Sequence, residues 1–115
     1  MKLIRVSRSL AETYYSEHKG KAFFGPLMSY VAAGPVVALV LEGNGAVPIV
    51  RKMMGKTNAA EAEPGTIRGD YGLTIGRNLI HGSDGPESAK REIGFFFKPD
   101  ELHEYRRIDE AWLRE

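Results

Sequence analysis

At 115 residues, with 43% hydrophobic and 27% charged residues, the chain has the length and composition of one soluble domain with a modest core. Its 16 basic and 15 acidic side chains leave a net charge of +1, so no nucleic-acid or membrane partner is expected on electrostatic grounds. The absence of cysteine excludes disulfides, thiolate catalysis and cysteine-based zinc sites.

Residues 2–7 carry Leu3, Ile4 and Val6 with little polar interruption and predict a short strand. The first eight residues lack the apolar core of a signal peptide, and a cytoplasmic location is expected. Ser9-Leu10-Ala11-Glu12 fits a capping box, so a helix is predicted from there to about His18, with Leu10, Ala11, Tyr14 and Tyr15 on helical spacing. Pro26 is placed to open a second short helix, which Gly34-Pro35 stops. Residues 35–42 predict the clearest strand. The run from Val36 to Leu41 is continuously apolar, as in a central strand buried on both faces, and it is far too short to cross a bilayer. After a Gly43-Asn44-Gly45 turn, residues 46–54 predict a helix with Val47, Val50 and Met54 on one face and Gly55 as its stop.

Residues 56–69 read as a long loop, of the kind that is functional or disordered in a compact domain. Residues 71–75 predict a third short strand, and residues 86–97 an amphipathic helix presenting Ala89, Ile93 and Phe97. Lys98-Pro99-Asp100 breaks that helix. The tail through Trp112 is predicted to pack on the body, because Tyr105, Ile108, Trp112 and Leu113 would otherwise stand exposed. Strands and helices mix without strict βαβ alternation, which predicts an α+β fold with an antiparallel sheet. Three strands are a thin sheet for four helices.

The chemistry concentrates around His81, which lies between Ile80 and Gly82 just before a helix start. Gly82 leaves space beside the ring, and Ser83 and Asp84 put polar oxygens at the first turn. Glu92, in the following helix, could fold back on the imidazole. A carboxylate bonded to one ring nitrogen would leave the other free as a nucleophile. A solvated loop histidine is the plainer reading of the same residue.

Arg51 and Arg68 are candidates for bidentate phosphate contacts, with Thr57 as a neutral donor. For each arginine taken singly, a solvated surface charge is the commoner reading. Phe23 or Phe24 at a cleft mouth could stack on a base, although core packing is the commoner use of phenylalanine. Tyr15 reads as a core-edge residue. No phosphate-binding P-loop motif is present, and His18, His81 and His103 lack metal-ligand spacing.

Asn78-Leu79-Ile80-His81-Gly82-Ser83-Asp84 resembles the active-site signature of the nucleoside diphosphate kinase family. Phe23-Phe24-Gly25-Pro26-Leu27, Gly34-Pro35-Val36-Val37, Gly55-Lys56-Thr57-Asn58, Pro64-Gly65-Thr66-Ile67-Arg68-Gly69-Asp70 and Glu87-Ser88-Ala89 agree with that family in order and spacing. The resemblance implies a ferredoxin-like α+β fold. It also implies ping-pong transfer of the γ-phosphate from a nucleoside triphosphate such as ATP to a nucleoside diphosphate, through a phosphohistidine. His81 takes the nucleophile's position, attacking through Nδ1. Glu92 matches the acid that orients its ring, with Ser83 bonded nearby. Tyr15 matches a tyrosine near the transferred phosphate.

On the same footing Arg51, Thr57 and Arg68 match the diphosphate contacts and Asn78 the sugar contact. Phe23 corresponds to the stacking aromatic, with Ile75 opposite and Leu27 nearby. Mg²⁺ would arrive on the nucleotide phosphates rather than in a protein cage, and a homo-oligomer is implied. The family also has a strand carrying a lysine and then a helix, a unit of about 30 residues, ahead of the strand that opens this chain. From that difference follows a second expectation: a catalytically impaired nucleotide-binding or assembly subunit.

Overall fold

The computed structural model describes residues 1–113. Its sheet is one antiparallel pair, β1 (Lys2–Arg5) and β2 (Pro35–Ala38), with Leu3 opposite Val37 and Ile4 opposite Val36. Alternation along the pleat sends Ile4 and Val36 inward, where they pack on the core cluster of Val6, Ala11 and Met28. Leu10, Phe24, Val31 and Phe96 close around that cluster from α1 (Arg8–Tyr14), α2 (Phe24–Val31) and α5 (Pro86–Phe96). Between β2 and α5 the chain adds α3 (Ala46–Met54) and the five-residue α4 (Ile67–Tyr71). A short α6 (Glu110–Leu113) ends the described chain.

Several expectations are corrected by tertiary context. The helix after β1 starts two residues early: Ser7, still extended as the chain leaves the strand, accepts the Leu10 N–H at 3.2 Å. Glu12, expected to complete a capping box on Ser9, is instead drawn to Arg8 one turn back, at 3.0 Å. The helix closes at Tyr14 and the chain tightens into a 3₁₀ turn at Ser16–His18. β2 ends at Ala38, and Val37 on its outer face, like Leu39 and Leu41 beyond its end, is exposed rather than doubly buried.

The long loop contains two capped elements. Asn58 caps a 3₁₀ turn at Ala59–Glu61, and Thr66 caps α4 by accepting the Gly69 N–H at 3.1 Å. The expected strand at 71–75 does not form. Tyr71 ends α4, and Thr74 makes only an isolated antiparallel bridge to Arg77. The tail does not pack on the body: Tyr105, Ile108 and Leu113 are exposed, and Trp112 is 88% exposed. Among the described residues no helix is long and apolar enough to cross a membrane.

Candidate active site

The site forms where the segment 78–84 is pinned between α3, α4 and α5. Arg68, only 5% exposed, does most of the pinning. Its guanidinium donates to the carbonyls of Gly55 at 3.0 Å, Asn78 at 3.3 Å and Ile80 at 2.6 Å. Three of its five N–H donors are thereby spent on backbone from two separate segments. Gly55 permits this closure. Its φ is +84°, and a Cβ there would lie 2.4 Å from Thr66 Oγ1. Asn78 adds a second tie, its side-chain amide donating to the Thr57 carbonyl at 3.1 Å.

Between these ties Leu79 has a φ of 71°, and the Ile80 N–H donates back to the Asn78 carbonyl at 2.8 Å. That is a three-residue turn of the strained hand, unusual for a leucine, and it aims the next residue but one. Gly82 follows. The space it leaves is filled from α3, since a Cβ there would meet Met54 Sδ at 2.5 Å, and the Gly82 carbonyl accepts from Arg51 Nη1 at 3.1 Å.

His81 is thereby presented from a fixed backbone, its side chain 49% exposed. Nε2 lies 3.2 Å from Glu92 Oε2, and the Ser83 hydroxyl donates to the same carboxylate oxygen. An ionised carboxylate only accepts, so this bond requires the proton on Nε2 and leaves the Nδ1 lone pair free. Tyr14 and Tyr15 meet the imidazole edge-on, with ring centroids 5.5 Å and 6.2 Å away. Burial, and then the nearby Glu92 charge, push the Tyr15 hydroxyl above the ordinary tyrosine value. The start of α5 is set by Ser88, whose Oγ accepts the Gly85 N–H at 2.9 Å and whose hydroxyl donates to Asp84. That donation, with Arg51 and His81 in support, holds the Asp84 carboxyl below its usual range.

Positive charge gathers beside the histidine. Burial, followed by the proximity of Arg51, lowers the Arg68 pKa. Two guanidinium groups in each other's field, with hydrogen bonds to spare, are relieved by an anion between them. Thr57 is exposed at the same rim. On the other side, Phe23 is half exposed and is buttressed by His18 at 5.5 Å and by Lys21, 5.7 Å from its centroid. His18 in turn stacks near Tyr15 at 6.2 Å, so a line of rings runs from His81 to Phe23. Leu27 belongs with the core cluster and underlies this edge. Ile75 stands exposed on the turn spanned by the Thr74–Arg77 bridge, with no hydrogen bond or ring contact to the other candidates among the described residues.

The structure therefore joins His81, Ser83 and Glu92 directly, sets Arg51, Thr57, Arg68 and Asn78 around them, and leaves Ile75 apart. Arg68 has a backbone-bracing task that its expected place on a loop did not suggest. Tyr14, which sequence spacing sets on a helix with Leu10 and Ala11 and with no site role, reaches the site as well. Among the described residues no three His, Asp or Glu side chains come together as a cation cage.

The family model described as nucleoside diphosphate kinase matches residues 1–102. The chain is 55% identical over 115 residues to a nucleoside diphosphate kinase of Carboxydothermus hydrogenoformans, covering all of this chain and 77% of that protein. It is 56% identical to the one from Pelotomaculum thermopropionicum, with the same coverage. Among solved structures it is similar to a halophilic nucleoside diphosphate kinase from Halobacterium salinarum in complex with CDP. The TM-score there is 0.95 at 48% identity, over 99% of this chain and 76% of that one. The α+β fold is thus of the ferredoxin-like kind.

Proposed function

The chain belongs to the nucleoside diphosphate kinase family of phosphotransferases, and from that premise we propose that His81 is the residue that carries the phosphoryl group between nucleotides. The observation that carries this reading is the Nε2–Glu92 bond, which leaves Nδ1 as a free nucleophile, with Arg51 on the carbonyl of the next residue, Gly82.

In the first half-reaction the Nδ1 lone pair attacks the γ-phosphorus of a nucleoside triphosphate. The Nδ1–P bond forms, the bond to the β-phosphate oxygen breaks, and the diphosphate leaves. Glu92 supports the positive charge that develops on the imidazole while Ser83 holds the carboxylate in place. In the second half-reaction a terminal oxygen of another nucleoside diphosphate attacks the phosphorus, and the N–P bond breaks.

Arg51 and the two uncommitted N–H groups of Arg68 are suited to the diphosphate oxygens, with the Thr57 hydroxyl beside them. Tyr15 stands near the transferred group, Asn78 at the sugar, and Phe23 under the base, with Leu27 beneath and Ile75 across from it. A phosphotransferase of this family calls for a divalent cation. We assign it as Mg²⁺, bound to the nucleotide phosphates, where it neutralises their charge. The CDP bound by the Halobacterium relative supports nucleotides as substrates. The outward apolar row of Leu3, Val37, Leu39 and Leu41 supports a homo-oligomer. An impaired subunit is not favoured, since kinship to named kinases extends over the whole chain.

The test is incubation with γ-labelled ATP and Mg²⁺ followed by a GDP chase. Acid-labile label on His81 that moves to GDP is expected, and none on His81→Ala. Label transfer that persists in His81→Ala would remove this mechanism.

A further inference from the structure

Tyr14 is the aromatic at the centre of the site and is 7% exposed. Its ring meets the His81 imidazole edge-on, at 5.5 Å and 83°. Three other rings hold Tyr14 itself: Tyr15 at 4.7 Å and 84°, Phe95 at 5.5 Å and 81°, and Phe96 at 5.1 Å. It therefore ties α1 and α5 together beside the histidine.

The imidazole needs such a support. The carbonyl before His81 is fixed by Arg68, but the His81 side chain is half exposed and, among the described residues, is hydrogen-bonded to Glu92 alone. Rotation about the bond to the ring would carry Nε2 away from the carboxylate. The buried Tyr14 ring, edge-on to the imidazole and itself held by Tyr15, Phe95 and Phe96, restricts that rotation by packing. We propose that Tyr14 is a positioning residue for His81, its ring holding the imidazole in the orientation that keeps the proton on Nε2 and Nδ1 free. This rests on His81 being the nucleophile.

The hydroxyl is a secondary feature. It interacts with the Glu92 carboxylate, and burial together with that charge raises its pKa far above the ordinary value, so Tyr14 acts as a neutral donor. The ring, not the hydroxyl, is the part assigned here.

The experiment compares Tyr14→Phe, which keeps the ring, with Tyr14→Leu, which removes it. The His81 tautomer is read by ¹⁵N nuclear magnetic resonance, and kcat and KM by nucleotide exchange. The unsubstituted protein should show His81 protonated on Nε2. Tyr14→Phe should keep that tautomer and a rate within about threefold, because the edge contact survives. Tyr14→Leu should show a mixture of tautomers and a kcat lower by about 10- to 100-fold, with KM little changed, since a small misplacement of a reacting group costs rate rather than binding. If Tyr14→Leu does not fold, Tyr14→Met refills the volume without a ring and is read the same way.

A folded ring-less variant with the wild-type tautomer and kcat would overturn the assignment. So would a resting wild-type histidine protonated on Nδ1. The tautomer signal does not depend on turnover. A protein whose tautomer responds to Tyr14→Leu but which takes no label from ATP would therefore refute the proposed reaction while supporting the positioning role.

Discussion

Arg68 Nη2 donates to the carbonyl of Ile80 at 2.6 Å, so a buried arginine on α4 holds the residue immediately before His81. The same guanidinium reaches Gly55 and Asn78, and no other side chain can span three carbonyls in that fork. Arg68→Lys keeps the charge and loses the fork. It is expected to cost about 2–4 kcal/mol, from two or more charged hydrogen bonds left unmade in a buried site. Urea denaturation would measure the loss. A lysine variant of unchanged stability would show that the brace is dispensable.

Glu92 touches His81 and Ser83, neither of which is proposed to hold the nucleotide's sugar or base. Glu92→Ala should therefore leave nucleotide KM near its original value and lower kcat by about 10²-fold, the usual scale for removing a group that assists proton placement. Steady-state exchange kinetics separate the two parameters. A rise in KM with kcat preserved would place Glu92 in binding instead.

Leu79 holds a φ of 71° with its side chain exposed, so its backbone is strained without a compensating buried contact. Leu79→Gly should be no less stable than the natural sequence, because relief of strain offsets the added freedom of the unfolded chain. Leu79→Val, branched at Cβ where left-handed φ is hardest to reach, should lose about 1–2 kcal/mol. Thermal midpoints of the two variants would rank them, and a stable valine variant would show that the turn can relax.

Tyr14 and Tyr15 both have pKa values raised above the ordinary 10.0 by burial and by Glu92. A raised folded-state pKa means that the unfolded chain gives up these protons first. The stabilisation is fully present below the ordinary value and is lost as pH rises above it. The denaturant midpoint should hold level up to about pH 10 and fall from there to about pH 12, and Tyr14→Phe should flatten part of that fall. A midpoint that is level across this range would argue against the buried hydroxyls.

The pattern of residues is enough to nominate the candidate site. His81 beside Gly82, Ser83 and Asp84, a glutamate one helix later, and two arginines upstream carry their chemistry in their types and order. The helices at 46–54 and 86–96 were also legible, because their apolar spacing and terminal Gly or Pro are local signals. The elements that were misread have no local signal strong enough. α4 is five residues long and contains Gly69, too short for a period to show, and the start of α1 turned on whether Glu12 would pair with Arg8 or cap the helix.

What the sequence by itself determined is therefore the family, the set of candidate groups around His81 and the helices whose faces repeat. Only the tertiary structure decided how those groups meet. It makes Arg68 a brace for the His81 backbone, seats Met54 against Gly82, and brings Tyr14 to the imidazole edge rather than leaving it on an ordinary helix face. It also leaves the apolar run after Pro35 exposed on one side. The physical reason is the same throughout. Periodicity and residue type act within a few residues of chain, whereas a hydrogen-bond fork, an edge-on ring contact and the number of neighbouring strands depend on segments tens of residues apart, brought together only when the core closes.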